Sequence, residues 1–149
     1  MIRGRVVVAM SGGLDSSTAA YLLRREGYEV IGLFMRTGVP AADEPGRRRG
    51  CGPADAEDAR RVARQLDIPL YVLNCKTDFD RLIEDFCREY ARGRTPNPCI
   101  RCNTEIKFGK LLRYAHALGA RYVATGHYAR VERRGGRWVL RRGVDRRKD

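Results

Sequence analysis

Apolar and polar positions along the chain fall into blocks that alternate strand and helix. Arg5-Val6-Val7-Val8-Ala9-Met10 is short and continuously apolar, the pattern of a strand covered on both faces in a parallel sheet. It runs into Ser11-Gly12-Gly13, after which Ala19, Leu22 and Leu23 fall on one helical face and Gly27 supplies the stop. Glu29 to Met35 predicts a second strand, and the Gly-, Pro- and Arg-rich stretch from Thr37 to Pro53 predicts a mobile loop. A helix with Ala59, Val62, Ala63 and Leu66 in register and a strand over Leu70 to Asn74 repeat the βαβ pattern. Phe79, Leu82, Ile83, Phe86 and Tyr90 recur at helical spacing, which makes Cys87 a core thiol and leaves it, with Cys75, a structural role. Gly93 to Asn103 reads as one long irregular segment. Phe108, Leu111, Leu112, Ala115 and Leu118 mark a further helix, stopped by Gly119, and Arg121 to Thr125 a fourth strand. The fold class is therefore α/β, with a doubly wound, mainly parallel sheet. Gly126-His127 then sits at a strand's carboxyl end, where open sheets place their ligands.

The last stretch changes character. Ala129 to Arg134 and Arg137 to Arg142 flank Gly135-Gly136 as a β-hairpin would. The pattern thus predicts one domain over residues 1–130 and a hairpin stub over 131–149 that begins a β-rich second region. The polar end predicts that the sequence is the front part of something longer and is inactive alone. Lys and Arg number 30 against 18 Asp and Glu, a net +12, of which residues 121–149 carry +7. Such a field suits a polyanion, nucleic acid first, although an arginine-rich solvated surface gives the same count. No apolar stretch approaches the ~20 residues of a membrane span, so no membrane is expected. The apolar run at the N-terminus is too short for a secretory signal. Five unevenly spaced cysteines point to a reducing, cytoplasmic compartment and not to a disulfide framework.

Chemistry enters at Ser11-Gly12-Gly13-Leu14-Asp15-Ser16-Ser17. A glycine turn between a buried strand and a helix start aims backbone N–H groups and the helix dipole at an anion, most simply a phosphate. The serines add hydroxyl donors, and Asp15 is placed to hold Mg²⁺. The loop lacks the Gly-Lys-Ser/Thr ending of a Walker A loop and the G-x-G-x-x-G of dinucleotide binders. A plain helix-capping turn is the alternative. From Val7 to Ser17 the block resembles the loop of the ATP pyrophosphatases, which split ATP between its α and β phosphates and move AMP onto a substrate oxygen. That resemblance implies an adenine nucleotide alpha hydrolase-like fold. It also implies ATP contacts from Ala9, Met10, Ser11, Gly12, Gly13, Leu14, Asp15 and Ser16, with Met35 and Gly126 beside the adenosine.

A second motif, Thr95-Pro96-Asn97-Pro98-Cys99-Ile100-Arg101-Cys102-Asn103, frames a Cys-x-x-Cys with prolines. Such a pair serves as half a metal site, a redox dithiol or a nucleophile with a neighbour. Arg101, with Arg92 and Arg94 nearby, is expected to lower a thiol pKa and favour reactivity. Gly93 to Pro98, Cys102-Asn103, Glu105 to Gly109 and Ala124 to Arg130 resemble the signature segments of the tRNA-specific 2-thiouridylases, in order and spacing across essentially the whole chain. Members of that family adenylate the C2 oxygen of the wobble uridine and replace it with sulfur. The resemblance implies Cys102 as the nucleophile and Asn97, Pro98 and Cys99 lining the target base. Lys148 and Asp149 match the start of a tRNA-contacting segment. Its partners would be tRNA and a sulfur-donor protein, a cysteine desulfurase or a sulfur relay.

Two departures qualify the match. Many members carry Asp where this sequence has Cys99, and the resulting Cys-x-x-Cys is similar to that of thiolases proposed to hold a 4Fe-4S cluster. Cys99 and Cys102 are then candidate ligands, with Cys51 a possible third. The family's persulfide-carrying cysteine lies downstream of the segment represented here, so no residue is assigned that role. His127 either positions phosphate or is satisfied locally, and His116 reads as structural. The rival readings are an ATP pyrophosphatase acting on a small molecule and a non-catalytic nucleotide or Fe-S module.

Overall fold

The computed structural model describes residues 3–38, 52–145 and 147. Strands β1 (Arg5–Met10), β2 (Glu29–Arg36), β3 (Leu70–Asn74) and β4 (Tyr122–Ala124) form one parallel sheet of order β3-β2-β1-β4. The chain steps outward from β1 to β3 and returns on the other side of β1. The order therefore reverses between β1 and β4, and a crevice opens at their carboxyl ends.

Helices cover both faces, which is why β1 has no polar alternation. Val6, Val8 and Met10 pack with Ala20 of α1 (Leu14–Arg25) and Ala56 and Ala59 of α2 (Pro53–Gln65). Val7, with Ile31 and Leu33, meets Leu111 and Ala115 of α5 (Leu111–Ala117) on the opposite face. Fully burying a side chain of this size contributes roughly 1.5–3 kcal/mol. A third cluster, Cys75, Leu82 and Ile106, lies under α3 (Lys76–Ala91).

Three expectations change. The inward line of α1 is Ser16, Ala20 and Leu23, while Leu22 is exposed and Ala19 only half-buried. The face is set by Ser16, whose hydroxyl reaches back to the turn below it. Cys87 is exposed and is no core thiol. On α3 the inward line runs through Phe79 and Leu82, and Ile83, Cys87 and Tyr90 face outward, because the apolar set is broader than the stripe that packing covers. Finally, the irregular segment ends earlier than its two prolines suggest. Helix α4 (Pro98–Arg101) starts with Pro98 in its first turn, where a missing N–H costs nothing. Asn97 caps it, its Oδ1 accepting from the Cys99 amide at 3.0 Å. A π-helical stretch, Cys102–Lys110, then joins α4 to α5. Winding wider than 3.6 residues per turn moves side chains off ordinary helical spacing, which hides this region from a periodicity reading.

β5 (Ala129–Arg134) and β6 (Arg137–Arg142) form the expected antiparallel hairpin, with Val131 opposite Leu140. Gly135 and Gly136 both have positive φ (55° and 79°), as a two-residue primed turn requires. Among the described residues, no helix is long and apolar enough to cross a membrane.

Candidate active site

The crevice between β1 and β4 is built around the glycine turn. Ser11 and Ser16 join hydroxyl to hydroxyl at 3.2 Å, and the Ser11 amide donates to Ser16 Oγ at 3.2 Å. Ser16 and Ser17 both donate their hydroxyls to the carbonyl of Gly13, at 3.1 and 2.8 Å. These bonds curl the loop over the start of α1. Gly13 is the N-cap and brings no side-chain cap, so the helix start is open to an external anion.

Two glycines allow the approach of neighbouring backbone. Gly12 has φ +77°, and a Cβ there would lie 2.3 Å from the Asp55 carbonyl oxygen, in the first turn of α2. A Cβ on Gly126 would lie 2.7 Å from the Ser16 amide nitrogen. The exit of β4 therefore sits directly against the helix start, with Gly126 beside the backbone of Asp15 and Ser16. Ala9 and Met10 end β1 beneath the turn, Leu14 is 81% exposed at its rim, and Met35 stands near the end of β2.

Asp15 lies in the first turn of α1, and the Tyr128 hydroxyl donates to its Oδ1 at 2.9 Å. A single carboxylate beside an open helix start fits Mg²⁺, which is usually held by one or two carboxylates together with substrate phosphate oxygens. His127 is held locally: its Nδ1 lies 2.8 Å from Thr125 Oγ1 and its ring 5.8 Å from that of Phe108.

Cys102 begins the π-helical stretch and packs half-buried against Cys75, Leu82 and Ile106. Met35 and Leu73, from the ends of β2 and β3, pack against the same cluster. The thiol is thus anchored at the edge of the sheet that also carries the glycine turn. Its electrostatics reverse the sequence expectation. Burial pushes the Cys102 thiol above its ordinary value, opposed by the charge of Lys107. Arg101 does not serve it, because its guanidinium is taken by Asp85 (2.8 Å) and Glu105 (2.9 Å). Arg92 and Arg94 are both engaged with Glu89, at 3.1 and 2.7 Å.

The fold thus favours the protonated form of this thiol. Its contribution to stability is full below the ordinary thiol range and is lost as pH rises through the higher folded value. Alkylation of Cys102 by iodoacetamide, read by peptide mass across a pH series, is expected to reach half its limiting rate above the ~8.5 of an ordinary thiol. A midpoint at or below that value would show that the cationic neighbours dominate after all.

Asn97, Pro98 and Cys99 form the N-cap and first turn of α4, with Cys99 exposed and one turn from Cys102. A cubane cluster takes three or four thiolates. Among the described residues, no group of three His, Cys, Asp or Glu gathers to hold a metal. Cys99 and Cys102 supply two such thiolates, one turn apart. Cys51, Lys148 and Asp149 lie outside the described residues.

Sequence reasoning missed the partners of these groups. Tyr128 follows Gly126-His127 directly and was within reach of the strand-end argument. Asp55 under Gly12, and Asp85 on Arg101, are distant in sequence and carry no motif.

A parallel sheet whose order reverses over an open helix start places the chain among the doubly wound α/β proteins. The profile of the tRNA methyl transferase HUP domain family matches residues 4–149, and the chain belongs to that family. It is 53% identical over 151 aligned positions to the tRNA-specific 2-thiouridylase MnmA of Clostridium perfringens, covering 100% of this chain and 42% of that protein. The MnmA of Geobacter metallireducens is 54% identical over 153 positions, with 99% and 42% covered. The chain therefore spans well under half the length of these relatives.

Among solved structures, the U34-tRNA thiolase NcsA from Methanococcus maripaludis with its 4Fe-4S cluster superposes with a TM-score of 0.58 at 23% identity. The match covers 85% of this chain and 39% of that one. NMN synthetase from Francisella tularensis gives 0.53 at 20% identity, covering 82% and 44%. At these identities the likeness concerns the fold.

Proposed function

We propose that this chain is the nucleotide-binding and base-activating part of a tRNA uridine 2-sulfurtransferase. The observation that carries the reading is the open helix start facing Gly126, in a chain 53% identical throughout to a tRNA-specific 2-thiouridylase. ATP lies with its phosphates on the turn from Ser11 to Ser16, and Met35 and Gly126 flank the adenosine. Asp15 would hold Mg²⁺, which would screen the phosphate charge. The C2 oxygen of the wobble uridine attacks the α phosphorus and pyrophosphate leaves, so that C2 carries an O-AMP group. The outer sulfur of a persulfide adds at C2 and AMP departs with the original oxygen; the Cys102 thiolate then attacks the inner sulfur, which breaks the S–S bond, frees the 2-thiouridine and leaves Cys102 in a disulfide with the sulfur carrier. Cys102 is the thiol of this chain that serves the sulfur transfer, with Asn97, Pro98 and Cys99 beside the base.

Residues 1–130 form the nucleotide domain in this reading, and the hairpin from 131 onward begins the region that meets RNA. One face of the hairpin carries Arg130, Arg134, Arg137 and Arg141, and the other sets Arg133 and Arg142 beside Trp138 and Leu140, which are 74% and 73% exposed. Guanidinium groups next to an exposed indole suit a phosphate backbone with accessible bases, bound more weakly as salt rises.

The test supplies the full-length protein with ATP, a persulfide donor and unmodified tRNA, and reads the nucleosides by mass. Replacement of one oxygen by sulfur at the wobble uridine is expected, with one pyrophosphate and one AMP per product. ATP turnover that ignores RNA would instead favour a small-molecule substrate.

A further inference from the structure

The hydrogen bond from Tyr128 to Asp15 joins residues 113 positions apart, from the exit of β4 to the phosphate turn. The segment that delivers the phenol has little freedom. Gly126 is pressed against the Ser16 amide, so closely that a Cβ would stand 2.7 Å away. His127 is tied to Thr125 Oγ1 and rests against Phe108. Immediately after Tyr128 the chain enters β5 at Ala129. The phenol therefore reaches Asp15 from a fixed direction. As a neutral donor to a carboxylate, it makes an oriented, charge-assisted bond and adds no charge of its own. An arginine in the same place would orient the group equally well but would compete with any cation for it.

We propose that Tyr128 is a positioning residue for the metal–nucleotide complex: its hydroxyl holds the Asp15 carboxylate in the orientation that meets the divalent cation accompanying ATP. This rests on the reading of Asp15 as the Mg²⁺ ligand given above, and goes beyond it by assigning the residue that aims that ligand. Tyr128 acts through Asp15.

The experiment is equilibrium dialysis of ATP against the protein, once with Mg²⁺ and once with EDTA, for the wild type, Tyr128→Phe, Asp15→Asn and the double variant. Unfolding temperatures without nucleotide serve as the control for folding. The Mg²⁺-dependent gain in affinity is expected to fall about three- to tenfold in Tyr128→Phe, the worth of one oriented hydrogen bond. Its metal-free affinity and unfolding temperature should match the wild type, and the double variant should bind no more weakly than Asp15→Asn alone. If Asp15→Asn loses the Mg²⁺ gain and Tyr128→Phe keeps it, the positioning role is overturned while the assignment of Asp15 stands. Losses that are equal with and without metal, or additive in the double variant, overturn it in the same way. If Asp15→Asn keeps the full Mg²⁺ gain, both fall together.

Discussion

Alanine at position 12 is expected to cost the protein most of its nucleotide affinity and a large part of its stability together. Gly12 holds φ +77°, which an L side chain adopts at roughly 1–2 kcal/mol. The added methyl would also lie 2.3 Å from the carbonyl oxygen of Asp55, a backbone atom in a helix that cannot turn aside as a flexible side chain would. Overpacking of this kind adds about 1–3 kcal/mol, so a total near 3 kcal/mol and a fall of roughly 10 °C in Tm are expected for a chain of this size. Relief of the clash must push the turn away from α2, and in the proposed function the turn is the anion site. ATP affinity, measured below the lowered Tm, should therefore fall by about 100-fold or more. Gly126→Ala provides the contrast, since it has no positive φ and meets only the start of α1. It should lower nucleotide affinity with a smaller loss of Tm. Unaltered ATP binding in Gly12→Ala would mean that the turn does not carry the phosphates.

Replacing Cys102 with alanine is the second large effect, and it separates the two halves of the proposed reaction. In the full-length protein, formation of thiolated tRNA is expected to drop by at least about 100-fold, as for loss of a nucleophile. Pyrophosphate release from ATP in the presence of tRNA should continue until the tRNA is adenylated, because no group of the glycine turn is touched. The stability cost should be about 1 kcal/mol, since the side chain is small and only half-buried beside Leu82 and Ile106. If thiolation survives the substitution, Cys102 is packing and not chemistry. The upward shift of the thiol adds a pH dependence. A thiol raised by burial and left without Arg101 becomes a nucleophile only when its surroundings change or a base takes its proton. Thiolation by the wild type should accordingly rise with pH through and beyond the ordinary thiol range.

Much of this was legible before any coordinates. The unbroken run from Val6 to Met10 required two covered faces, and those are present as α1 and α2 on one side and α5 on the other. Ser11 to Ser17, between that strand and a helix, required an open helix start, and Gly135-Gly136 a tight hairpin. Such features are local, because strand burial, glycine conformation and helix initiation depend on residues within a few positions of one another. The stretch after Asn97 was less legible, because proline reads as a breaker unless its place in the first turn is known, and π winding moves Ile106 and Phe108 off the usual spacing.

The sequence by itself therefore determined the class of fold and the glycine turn, and singled out Cys102 as the candidate thiol. The tertiary structure alone decided the surroundings of that thiol and what holds the turn. Arg101 stands one residue from Cys102 in the chain, yet its charge is taken up by Asp85 on another helix and by Glu105. Asp15 receives its hydrogen bond from a tyrosine 113 residues away. The physical reason is the reach of the forces. Backbone conformation is set by neighbours along the chain, whereas the field at a side chain is set by whatever folding brings within a few ångströms, and desolvation by a distant cluster outweighed the cations beside Cys102.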